Sequence, residues 1–286
     1  MITVDKNTLA NTLKNLYSVI PQNSSLQVLK NFVLEFNNET LTISTCNLEI
    51  FAQSSIPATS DSDKDEGWKG LFISKEFFEL IKDIPYNTKL FLKQSKTILN
   101  IKTEKNFKAK IYFSDTRDYP DFPEIDLSNE FIIENKLLFT LLDKTSFCAD
   151  INEARKEFQS INLTINSDNT IDAKATDGHK LSIIKMKSTF EYGMEKDFLL
   201  HKSHCPFIMQ NLNKDQNSAL YFGEKYMLIK GIDSDIYVKI FYDVYPDIQK
   251  VIPKTHKGIL IVNKKDVLDS LKMLSALANK KTKLIL

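Results

Sequence analysis

The chain has 286 residues, 42% of them hydrophobic and 26% charged, with a formal net charge of +1. That balance suits a globular chain with room for two or more domains, and it excludes a protein that holds nucleic acid by bulk charge alone. No apolar run approaches the roughly 20 residues that cross a bilayer, the N-terminus lacks a secretory pattern, and Cys46, Cys148 and Cys205 form no CxxC pair, so a cytoplasmic chain with reduced thiols is expected.

Along the chain, "ITVDKNTLANTL" opens with a short apolar strand, a polar cap (Asp5), a lysine (Lys6) and an apolar helix face. "NFVLEF" and "TLTIS" follow with the period-two alternation of strands. "LFISKEFFEL" repeats the opening with Ser74 and Lys75, and "KLFLKQ", "TILNIKT" and "FKAKIYF" follow it. "FIIENKLLFTLL" repeats it again with Asn135 and Lys136, before "INLTI", "TIDAKA" and "KLSIIKM". "FLLHKSHCPFIM" brings His201 and Lys202, then "ALYFG", "YMLIKG" and "IYVKIFY". "ILIVNKKDVLDSL" brings Asn263 and Lys264, and the chain then stops at "KKTKLIL", inside what reads as the next strand.

The five caps lie 69, 61, 66 and 62 residues apart, alternate caps lie 130, 127 and 128 apart, and "YPD" recurs after 126 residues. The period is therefore one domain built of two similar halves, each strand–helix–three strands, joined by "YPD" linkers. The expected fold is α+β, with domains at 1–123 and 124–247 and a third, incomplete one at 248–286. Basic against acidic residues number 15 to 15, 14 to 20 and 9 to 2 in those segments. Helical spacing places Leu9, Leu13 and Leu16, Phe77, Leu80 and Ile81, Leu138, Leu141 and Leu142, and Val267, Leu271 and Leu274 in cores.

Lysine is electrostatically misplaced at a helix N-terminus. Its fivefold recurrence there suggests a common surface that needs positive charge. "HKSHC" tempts a metal reading through His201, His204 and Cys205, but no fourth ligand is nearby and the repeat makes His201 a cap. Asp177 and His179 in "ATDGHKLSI" offer an acid and a base without a nucleophile motif or phosphate loop. No catalytic residue, metal or cofactor is expected.

"ATDGHKLSI", "DYPDFP" (118–123), "NEARKEFQSINL" (152–163) and "YPDIQKVIPK" (245–254) together resemble the bacterial DNA polymerase III beta subunit, the replicative sliding clamps, in register along the chain. The resemblance implies three similar domains per chain, two chains closing head to tail into a ring, and helices lining its hole around double-stranded DNA. It implies a groove for short peptides of polymerase and clamp-loader subunits. That groove is carried here by Phe158, Thr176, Gly178, His179, Lys180, Leu181, Pro246, Lys250 and Val251, with Thr282 in place of a family aromatic. Asn23, Lys75, Lys136, Asn152, Arg155, Lys202 and Lys264 match DNA-facing positions. Ala109 and Ile111, with Ala276 and Leu277, match the dimer interface. The alternative is a clamp-like chain that acts as a monomeric peptide-binding module.

Overall fold

A computed structural model describes residues 1–61, 67–193 and 195–275. Met1–Tyr245 is one compact body and Pro246–Leu286 a second. The first body alternates as the sequence repeat requires. Its first half-unit is β1 (Ile2–Asp5), α1 (Lys6–Tyr17), β2 (Asn31–Asn37), β3 (Thr40–Cys46) and β4 (Ile50–Ser60). The second is β5 (Trp68–Ile73), α2 (Ser74–Asp83), β6 (Lys89–Ser95), β7 (Ile98–Thr103) and β8 (Lys108–Tyr112). The third is β9 (Phe131–Glu134), α3 (Asn135–Thr145), β10 (Ser160–Ile165), β11 (Thr170–Thr176) and β12 (Leu181–Lys187). The fourth is β13 (Lys196–His201), α4 (Cys205–Asn211), β14 (Asn217–Phe222), β15 (Tyr226–Lys230) and β16 (Ser234–Phe241).

Pairing is antiparallel throughout and repeats with the sequence. The ladders β5–β2–β3–β4 and β1–β6–β7–β8 correspond to β13–β10–β11–β12 and β9–β14–β15–β16. The first two ladders are sewn together by β4 on β1 and by a bridge from Leu71 to Ser114. The second two are sewn by β13 on β16, with side chains closing the other seam: Glu134 accepts from Ser188 and from the backbone and hydroxyl of Thr189, and Tyr192 donates to the Ile132 carbonyl. The eight-strand units are joined where β4 pairs β16, Ile50 opposite Val238 through Ser54 opposite Ser234.

Each helix buries one stripe. Leu9, Leu13 and Leu16 of α1, Phe77 and Ile81 of α2, Leu138, Leu141 and Leu142 of α3, and Phe207 and Ile208 of α4 lie in one continuous core cluster with the sheet residues. Each such side chain contributes roughly 1.5–3 kcal/mol relative to exposure. Leu80 packs on this core only partly buried.

Four expectations need correction. Asp5 caps α1 by accepting from the Thr8 amide at 2.8 Å, but Ser74 and Asn135 are the first helical residues and cap nothing. Their side chains donate to the carbonyls of Lys30 and Asn213, tying helix starts to neighbouring loops. The fourth helix starts with one 3₁₀ turn, Lys202–His204, which His201 caps through its ring, and becomes α-helical only at Cys205, one residue before Pro206. Lys6 is 1% exposed; its ammonium reaches the Lys82 carbonyl at 3.2 Å and lies 4.2 Å from the Tyr86 ring centroid, so this lysine finishes α2 and faces no surface.

In the second body, "ILIV" (259–262) forms no strand: Ile259, Leu260 and Ile261 are exposed, and among the described residues no strand of this body pairs with them. Its helix α5 (Lys264–Ser275) does follow Asn263, whose side chain accepts from the Lys265 amide. Val267, Leu271 and Leu274 are exposed there, so their stripe is not a core.

Candidate functional site

The residues proposed for peptide binding within the first body converge on the turn between β11 and β12. Thr176 and Leu181 are a cross-strand pair that closes the turn. The Thr176 hydroxyl donates to the Lys180 carbonyl at 2.7 Å and accepts from the Gly178 amide at 3.0 Å. Asp177 accepts from the amides of His179 and Lys180, both at 3.0 Å, and pairs with the Lys180 ammonium at 3.1 Å. Burial opposes ionisation of Asp177, but those amides and the ammonium outweigh it and pull its carboxyl down to about 2.

Gly178 sits at φ +85°, a conformation that side chains rarely adopt, and the Phe158 ring lies over it, 3.8 Å from where a Cβ would stand. Phe158 belongs to a 3₁₀ turn (Lys156–Gln159) whose N-terminal neighbour, Arg155, stacks its guanidinium 3.9 Å from the ring centroid. The turn is therefore rigid, half-apolar and cationic at its rim. His179 and Lys180 are exposed and Leu181 is half-buried, so Leu181 is surface lining rather than core.

The remaining residues divide among separate places. In the second body, Asp247 caps the turn Ile248–Lys250 and pairs with Lys250, and Val251 is 68% exposed, which removes the core reading for it. Lys75 and Lys136 are exposed in the first turns of α2 and α3, and neither forms an ion pair among the described residues. Lys202 is half-buried and donates to the Ala149 carbonyl at 2.6 Å. Lys264 is exposed on α5. Asn23 is exposed in a turn after α1, and Asn152 folds back on Asp150 through two 3.0 Å bonds. On β8, Ile111 is buried and Ala109 packs against the core. Ala276, Leu277 and Thr282 lie outside the described residues.

Of the histidines of "HKSHC", His204 reaches across the joint between the eight-strand units and His201 bonds within the second unit. His201 bonds Ser203 and Gln159, and His204, 2% exposed, meets Glu49 from the β3–β4 turn at 3.4 Å. The His204 hydrogen bond holds the Glu49 carboxyl below its ordinary range, and burial pushes His201 down. Among the described residues no three of His, Cys, Asp or Glu are grouped to hold a metal ion. Asp177 builds the turn rather than serving as an acid for catalysis, and "DG" between two strand patterns is the sequence signal for it.

Comparison with known proteins gives consistent matches. The N-terminal domain of the DNA polymerase III beta subunit matches residues 1–126, and its central domain matches residues 132–247. Beta sliding clamps of Chlamydia pneumoniae and Bacillus subtilis are each 21% identical, over 96% of this chain and 74% of theirs. The Pseudomonas aeruginosa DnaN sliding clamp bound to griselimycin superposes with a TM-score of 0.89 at 18% identity, over 98% of this chain and 75% of that one. The Helicobacter pylori beta clamp bound to a DNA ligase peptide gives 0.84 at 22%, over 97% and 76%. The chain thus spans about three quarters of the length of these relatives.

Proposed function

From the premise that this chain belongs to the DNA polymerase III beta subunit family, the beta sliding clamps, we propose that it is a non-catalytic processivity factor of the replicative polymerase, working in the cytoplasm. In this reading 1–123 and 124–247 are two clamp domains and 248–286 begins a third. Two complete chains close head to tail around duplex DNA. Phe158, Thr176, Gly178, His179, Lys180 and Leu181, with Pro246, Lys250 and Val251, receive peptides of polymerase and clamp-loader subunits.

The observation that carries the ring is the joint between β4 and β16. By the repeat, Lys108–Tyr112 of β8 is equivalent to Asp235–Lys239 of β16, and the start of β12 is equivalent to Ile50–Ser54 of β4. The first body therefore carries one half of the same joint at each end, as head-to-tail closure needs. Such a ring puts helix N-termini toward phosphates, where Lys75, Lys136, Lys202 and Lys264, with Asn23, Asn152 and Arg155, make contacts that do not read bases. Ala109 and Ile111 on one chain, and Ala276 and Leu277 on the other, support the closing joint.

A peptide with a glutamine and a terminal Leu-Phe pair tests the groove. Two buried apolar side chains contribute roughly 3–6 kcal/mol before ordering costs, so reaching the expected micromolar affinity, about 8 kcal/mol, also takes the hydrogen bonds of the glutamine and the peptide backbone. Titration should detect that binding in the wild type and lose at least tenfold in Leu181→Asp. Equal affinity for both would remove this groove from the reading.

A further inference from the structure

We propose that the face of the β1–β6–β7–β8 sheet opposite the core is a docking strip for single-stranded nucleic acid. Leu90, Leu92, Leu99 and Ile101 point into the core, so their neighbours along β6 and β7 point away from it. Register then assembles three rungs on that outer face: Phe91–Lys102–Lys108, Lys93–Asn100–Lys110 and Ser95–Ile98–Tyr112. Lys89 extends the face at one end. Lys89, Lys93, Lys102, Lys108 and Lys110 are all exposed, and none forms an ion pair among the described residues.

The other three outer faces of the same body serve as internal controls. On them a lysine stands opposite an acid: Lys69 opposite Glu35 at 3.0 Å, Lys185 opposite Asp172, and Lys230 opposite Asp235. Here Lys102 stands opposite Lys108, an arrangement that lowers sheet stability. The one acid opposite a lysine on this face, Asp5 facing Lys89, is taken up in capping α1, and the three rungs hold none, so lysine abundance alone does not account for the difference.

Two further features select the ligand. Tyr112 is 72% exposed and Phe91 half-buried on this face, and Phe107 is 41% exposed at the β7–β8 turn. Aromatic rings among cations bind unpaired bases by stacking, a surface that duplex DNA cannot use and an acidic protein segment does not need. Lysines two apart on a strand stand about 7 Å from each other and strands about 4.8 Å, so a flexible strand can meet several ammoniums where a duplex touches few. The strip lies on the side of the sheet away from α1 and α2, and it requires no ring.

The experiment is fluorescence anisotropy of the full chain with a labelled dT12 oligonucleotide across a salt series. Five phosphate contacts predict a slope of log Kobs against log salt of about −3.5, and Lys93→Gln/Lys102→Gln/Lys110→Gln should reduce it to about −1.5 and weaken binding at least tenfold at low salt. Tyr112→Ala should weaken binding several-fold without changing the slope, Tyr112→Phe should restore it, and Lys187→Gln/Lys225→Gln, at exposed lysines of the second eight-strand unit, should leave it unchanged. Melting temperatures within a few degrees of wild type would confirm that these exposed substitutions leave the fold intact. Wild-type binding by the triple variant would overturn the proposal. So would displacement by poly-glutamate at equal charge concentration together with no effect of Tyr112→Ala, which would mark an acidic protein partner instead.

Discussion

Lys6 and Asp177 show how far a single residue's meaning depends on what folds against it. Five lysines occupy the same place in the repeat, yet Lys6 is buried on the end of α2, Lys202 serves a loop carbonyl, and Lys75 and Lys136 stay exposed. Sequence placed all five and could not sort them, because the sorting depends on Lys82, Tyr86 and Ala149, far away in the chain. Lys6→Met should therefore cost about 1–2 kcal/mol by leaving the Lys82 carbonyl unpaired, read as a lower Tm, and should not change the salt dependence of duplex binding. Asp177 has its folded value near 2, below the ordinary carboxylate value of 3.8. A lowered carboxyl contributes stability above the ordinary value, and that contribution fades as pH falls from about 4 to 2. Melting curves of wild type and Asp177→Asn should differ at pH 6 and converge towards pH 2.

At the scale of elements, the strand–helix–three-strand half-unit was legible four times over, because period-two and helical patterning alternate cleanly and the caps recur at near-constant spacing. The strand that escaped was β4, Ile50–Ser60, whose run "QSSIPATS" is too polar and carries Pro57. Pairing explains why it forms: β3 bonds it along one edge, while its other edge serves β16 first and β1 last. The "ILIV" run of 259–262 shows the reverse, with strong strand patterning and no strand to pair. Gly70 marks a further place where an element depends on a distant one: a Cβ there would stand 2.8 Å from the Phe113 ring, which packs between Trp68 and Phe72. Gly70→Ala should cost about 1–3 kcal/mol through overpacking, seen as a lower denaturant midpoint with an unchanged m-value.

At the scale of the molecule, the β4–β16 pairing and the His204–Glu49 contact join the two eight-strand units, while His201 bonds within the second. Burial favours the neutral His201 ring, so folding loses stability as pH falls below about 6.5, where the unfolded ring takes up its proton first. Glu49, held low by His204, adds a second loss below about 4.5. His201→Asn keeps a capping side chain and cannot titrate, so the fall in Tm between pH 7 and 5 should be smaller in that variant. The β11–β12 turn of the proposed groove was legible in the "DG" of its motif, whereas the stacking of Arg155 on Phe158 over Gly178 was not, since no spacing in the sequence predicts which side chain a bent turn will face.

Ring closure around DNA is the claim on which the proposed function rests, and topology separates it from every electrostatic mode of binding. A chain carrying a complete third domain, loaded by its clamp loader onto nicked circular and onto linear duplex DNA, is washed at a salt concentration that abolishes phosphate contacts. The clamp reading predicts retention on the circle and rapid loss from the linear molecule through its ends. Equal loss from both would show that the protein does not encircle DNA.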